Sequence, residues 1–124
     1  MDVVDSSGWL EYFVDGPNAS VFKRVLQSPD QLLVPTICMY EVFKRLLSFV
    51  PVEKAAMFVE VMRQGHTVAL DESLALQSAL IARQHQLALA DAIIYTTAIT
   101  NNATLWTQDA HFKGLENVQF IEKK

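Results

Sequence analysis

The chain has 124 residues, enough for one domain (1–124) with a real core, since a chain of this size buries roughly two-thirds of the surface its unfolded form exposes. Its net charge of −4 argues against a broad nonspecific nucleic-acid binder, which shows a basic footprint, although metal ions held by acids would reverse the field locally. The single cysteine, Cys38, excludes an intramolecular disulfide, and its place on an apolar helix makes it a small buried hydrophobe.

The opening Met1-Asp-Val-Val-Asp5 lacks a basic stretch and a long apolar run, so it does not read as a signal peptide. No run approaches the ~20 apolar residues of a membrane span, and a soluble cytoplasmic protein is the expectation. Val3-Val4 reads as a buried strand that reaches a turn at Asp5-Ser-Ser-Gly8. A helix runs from Ser7-Gly8 through Val14, closed by Asp15-Gly-Pro17. A second covers Asn18 to Gln27, with Asn18 as its N-cap. Leu32–Val34 is a short strand stopped by Pro35. Thr36 caps a helix to Val50, whose apolar stripe is Tyr40, Phe43, Leu46-Leu47 and Val50. Pro51 suits the first turn of a helix from Val52 to Gln64, which Gly65 closes, and the hairpin of these two helices could project as a clip. Thr67–Leu70 is a strand, and Asp71 caps a long helix to Gln86. A helix from Ala90 to Thr100, a strand Ala103–Thr107 and a last strand Val118–Ile121 complete the chain. Strands alternating with helices predict a parallel sheet with helices on both faces, joined by right-handed crossovers.

Four acids stand out: Asp5, Glu41, Asp91 and Asp109. In open parallel sheets, sites form beyond the carboxyl ends of strands, where Asp5 and Asp109 fall. Each acid alone has a plainer explanation. Asp5 could cap the following helix. Glu41 could pair with Arg45 four residues on and face solvent. Asp91 could be a first-turn acid favoured by the helix dipole. Asp109 could sit in an Asx-turn. Asp91 fits its plain explanation least well, because Leu87–Ala90 precedes it and Ala92–Tyr95 follows it. A buried carboxylate there needs a cation, donors or a raised pKa. Four acids at element ends in a small α/β chain point to a divalent-metal site, since hard cations prefer oxygen ligands.

The stretches Val4 to Phe13, Thr36 to Leu47 with Glu41, Ala90-Asp-Ala-Ile-Ile94 and Leu105 to Phe112, in this order, resemble a PIN domain. The resemblance is nearest to VapC-type toxin ribonucleases and covers essentially the whole chain. It implies a PIN-like three-layer α/β/α domain with a short parallel sheet of four to five strands. It also implies an acidic quartet, Asp5, Glu41, Asp91 and Asp109, holding Mg²⁺ or Mn²⁺. Ser6 matches a hydroxyl position near the first acid, and Thr107 matches a threonine that orients the site around Asp109. Many relatives carry another acid immediately before the phenylalanine, where this chain has His111. The activity implied is metal-dependent hydrolysis of RNA phosphodiesters, leaving a 5′-phosphate and a 3′-hydroxyl. The partners implied are a VapB-like antitoxin and a second copy of the chain.

Other polar residues read more plainly. His66 and His85 are ordinary surface residues, whereas His111 could contact substrate near Asp109. Lys44, Arg45, Arg83 and Lys113 could touch phosphates but also suit solvated helix positions. Trp9, Tyr12, Phe13 and Trp106 read as core or dimer packing rather than base-stacking groups. Two rival functions share many of these features. One is a PIN nuclease outside toxin systems, in RNA processing or repair. The other is a receiver-like Mg²⁺-binding signalling module, with Asp71 as the acid after a strand.

Overall fold

The computed structural model describes residues 1–124. Five strands form one parallel sheet: β1 (Asp2–Val4), β2 (Leu32–Pro35), β3 (His66–Val68), β4 (Thr104–Thr107) and β5 (Val118–Phe120). Their order is β3-β2-β1-β4-β5, so β1 is central. Six helices complete a three-layer α/β/α fold: α1 (Ser6–Phe13), α2 (Ala19–Leu26), α3 (Thr36–Leu46), α4 (Val52–Met62), α5 (Glu72–His85) and α6 (Leu89–Thr100). The chain leaves β1 to one side for β2 and later returns to its other side as β4, with Val4 opposite Trp106. A crevice outside the strand ends opens at such a reversal of strand order.

Local chemistry explains the start of the fold. Asp5 takes an extended backbone and accepts a hydrogen bond from the Gly8 N–H, which caps α1. Gly8 is required by packing, because a Cβ there would meet Val4 Cγ1 at 2.6 Å and Phe22 Cε1 at 2.7 Å. Val4 and Phe22 are both fully buried. Burial of such side chains contributes about 1.5–3 kcal/mol each. Helix α6 is the most enclosed element, with every residue from Ala92 to Ala98 buried. Its threonines are accommodated because the Thr96 and Thr97 hydroxyls donate to the Ala92 and Ile93 carbonyls one turn back. Asp91 therefore sits where this apolar helix emerges at the carboxyl edge of the sheet.

Four details differ from the sequence reading. The buried face of α3 is Cys38, Val42 and Leu46, whereas Tyr40 is 60% exposed and Leu47 40% exposed. Both rows have helical spacing, so periodicity found the helix and not its phase. Asn18 precedes α2 but makes no side-chain cap; its amide donates to Gln108 Oε1 and to the Glu122 carbonyl. The α3–α4 hairpin lies against the core rather than projecting, with Ala55 and Met62 buried and Phe58 4.6 Å from the Phe13 ring. Pro35 and Pro51, not Thr36, occupy the positions that open α3 and α4, where a missing N–H leaves no intrahelical bond unmade. Asp71 caps α5 as expected, accepting from the Leu74 N–H at 2.8 Å. No helix is long and apolar enough to cross a membrane.

Candidate metal centre

Asp5 ends β1 and is only 3% exposed. Its Oδ1 accepts from Ser7 Oγ at 2.7 Å and from the Gly8 N–H at 3.0 Å. Its Oδ2 accepts from Thr107 Oγ1 at 2.6 Å. Three donors favour the charged form, but burial outweighs them and pushes the Asp5 carboxyl up to about 6. The nearby Asp109 carboxylate adds to the rise.

Asp91, in the first turn of α6, is also raised, first by burial and then by repulsion from Asp109 and Glu41. His111 opposes this, with Nδ1 3.2 Å from Asp91 Oδ2. The same nitrogen is 3.2 Å from Asp109 Oδ1. Asp109 follows β4, and its Oδ1 accepts from the His111 N–H at 2.9 Å, an Asx-type turn. Glu41, one turn into α3, accepts from Ser6 Oγ at 2.6 Å. It forms no ion pair with Arg45.

The four acids thus meet at the switch point between β1 and β4, within one another's electrostatic field. The donor atoms that converge most tightly, all within 4.8 Å, come from Asp91, Asp109 and His111. Asp5 and Glu41 stand beside this trio, each held by hydroxyl donors. The set is oxygen-rich and partly desolvated, with too few positive partners. Such a set fits a hard divalent cation, which would offset the burial and the added repulsion that together raise Asp5 and Asp91.

The hydroxyls divide the work differently from expectation. Ser6 serves Glu41, and it is Ser7 that serves Asp5. Thr107 does reach Asp109, accepting from its N–H at 2.9 Å, while its own proton goes to Asp5. Sequence reasoning passed over the polar bridge behind the site, in which Gln108 links Asn18 to Glu11. Lys123 shares a groove of about 360 Å³ with Ser7, Gln108 and Arg45. Lys44 lies over the Tyr40 ring and Lys113 over Phe120. His85 is not simply solvated but stands edge-on to Tyr95, ring centroids 5.6 Å apart. Asp71 follows β3 on the edge of the sheet and is occupied as a helix cap, so it does not serve as a central phosphoacceptor.

Comparison with known proteins agrees with this geometry. The profile of the PIN domain matches residues 3–117. No curated protein matches. Among solved structures, a toxin–antitoxin complex from Klebsiella pneumoniae is similar over 100% of both chains, with a TM-score of 0.82 and 21% identity. VapC20 of Mycobacterium tuberculosis, described as a sarcin-ricin loop cleaving toxin, is similar over 98% of both chains, with a TM-score of 0.73 and 17% identity. VapBC-1 from nontypeable Haemophilus influenzae is similar over 97% of this chain and 96% of that one, with a TM-score of 0.71 and 19% identity. With the profile spanning nearly the whole sequence and the acids at the switch point of the matching fold, the chain belongs to the PIN domain family.

Proposed function

We propose that the chain is a metal-dependent endoribonuclease and the toxin of a type II toxin–antitoxin pair, acting in the cytoplasm. The observation that carries this reading is the meeting of Asp5, Glu41, Asp91 and Asp109 at the β1–β4 switch point, where two of them are raised by burial and mutual repulsion. These four acids are the proposed ligands and catalytic residues, with Ser6, Ser7 and Thr107 fixing the carboxylates. A bound Mg²⁺ or Mn²⁺ would supply an activated water and neutralise charge at the scissile phosphate. The chain's own part is orientation. Thr107 and Ser7 hold Asp5 in one rotamer, and the Asx-turn aims Asp109 across the crevice. Arg45 and Lys123, in the groove beside Ser7, suit the flanking phosphates of an RNA strand.

Two partners belong to this reading. One of the similar structures described above is a toxin–antitoxin complex and another is VapBC-1, which supports a VapB-like antitoxin. An apolar groove between α3 and α4, lined by Met39, Phe43, Ala56 and Val59, suits the apolar face of such a protein. A second copy of the chain is supported by α5, where Leu76 and Leu80, one turn apart, are 64% and 71% exposed.

The test is cleavage of total cellular RNA by purified protein in Mg²⁺, Mn²⁺ or EDTA, beside an Asp5→Ala variant. Discrete fragments that require metal and vanish in the variant are expected. Cleavage that survives both EDTA and the substitution would refute the proposal.

A further inference from the structure

His111 is left without a role by a site of four acids, yet it makes the closest approach to two of them. Its Nδ1 lies 3.2 Å from Asp91 Oδ2 and 3.2 Å from Asp109 Oδ1. One donor atom from each of these three residues lies within 4.8 Å of the other two. Asp5, by contrast, is already engaged by three donors, and Glu41 by Ser6. We propose that His111 is a direct metal ligand together with Asp91 and Asp109, and that its nitrogen tilts the site toward a first-row transition ion such as Mn²⁺ over Mg²⁺. This rests on the reading above that the acids hold a divalent ion.

The spacing suits the role. With bonds of about 2.1 Å, neighbouring donors on an octahedral ion stand about 3 Å apart and opposite ones about 4.2 Å. The separations around His111 need only a small inward adjustment to meet these values. The His111 side chain is 72% exposed, so its ring has room to make it. The preference follows from donor chemistry. Mg²⁺ takes oxygen ligands and gives up its waters reluctantly, whereas imidazole nitrogen suits later first-row ions, whose affinity for such sites rises from Mn²⁺ upward. An acid at this position would leave the set all-oxygen and equally suited to Mg²⁺.

The competing explanation is that His111 is only a hydrogen-bonding partner of the two carboxylates. Pulsed electron paramagnetic resonance on Mn²⁺-loaded protein separates the two. Modulation from a directly bonded imidazole nitrogen is expected in the wild type and in His66→Ala, and is expected to vanish in His111→Ala. In parallel, competition titrations should show the Mn²⁺-over-Mg²⁺ preference falling about tenfold or more in His111→Asp. Bound Mn²⁺ without nitrogen modulation, and a preference unchanged in His111→Asp, would overturn the ligand role while leaving the acidic site standing. Failure of the wild type to bind any divalent ion would overturn both.

Discussion

The two sides of the acidic cluster are built on opposite plans. Asp5 is enclosed and fixed: it ends the central strand, caps α1, and has both carboxylate oxygens occupied by Ser7, Gly8 and Thr107. Asp109 and His111 stand on a short turn at the surface, and Asp91 sits only partly covered beside them. The first side is assembled by folding and carries its strain as a raised pKa. The second is open to a ligand and can still adjust. A site of this kind divides rigidity and adaptability between neighbouring carboxylates, where a symmetric ring of acids would have to compromise on both.

The contrast can be tested from its largest consequence downward. Asp5→Ala and Asp91→Ala should each lower metal-dependent RNA cleavage at least about 100-fold, read as initial rates at saturating Mn²⁺. Their stabilities should diverge, because only Asp5 also caps a helix and satisfies buried donors.

The next effect is on pH dependence without metal. The folded-state carboxyl of Asp5 is raised from 3.8 to about 6, so its stabilising contribution is complete below pH 3.8 and lost as pH rises through 6. That displacement corresponds to about 3 kcal/mol. Denaturant melts in EDTA should therefore show stability falling across this window. Asp5→Asn should flatten the profile, and added Mn²⁺ should restore stability near neutral pH. A wild-type profile that is already flat would mean that the enclosed side carries no such strain.

Smaller effects probe the supports of the fixed side. Thr107→Val leaves Asp5 Oδ2 and the Asp109 N–H without partners and should lower stability by about 1–3 kcal/mol, with Thr107→Ser recovering most of it. Gly8→Ala should cost about 1–3 kcal/mol by overpacking against Val4 and Phe22. Beside Asp5, Ser6→Ala frees the half-buried Glu41 and should cost only about 0.5–1.5 kcal/mol, visible as a small shift in the thermal midpoint.

Which parts were legible in the sequence follows from the range of the forces involved. The strand ending at Asp5, the cap at Asp71 and the Asx-turn at Asp109 are set by residues within three positions, and each formed as the local pattern implied. The alternation of strands and helices likewise announced a parallel sheet. The phase of α3 was hidden, because Tyr40 and Phe43 are as apolar as Cys38 and Val42, and only packing chooses between the rows. Asn18 misled for a related reason: its amide is claimed by Gln108 and Glu122, some ninety and more residues away. The approach of His111 to Asp91 spans 20 residues and depends on where α6 leaves the core, which no local pattern encodes.

The bond from Thr107 to Asp5 joins residues 102 positions apart. During synthesis the chain emerges with its N-terminus first, at about 5–20 residues per second. Until β4 and the turn after it are made, Asp5 has no Thr107, β1 has no β4 beside it, and there is no Asp109. Contacts of such long sequence separation also close slowly. A ribosome-bound fragment that ends before β4 therefore cannot hold the assembled acids, however well its first strands and helices have formed. The order of the sequence acts as a timer: the four acids can meet only once β4 and Asp109 have been made.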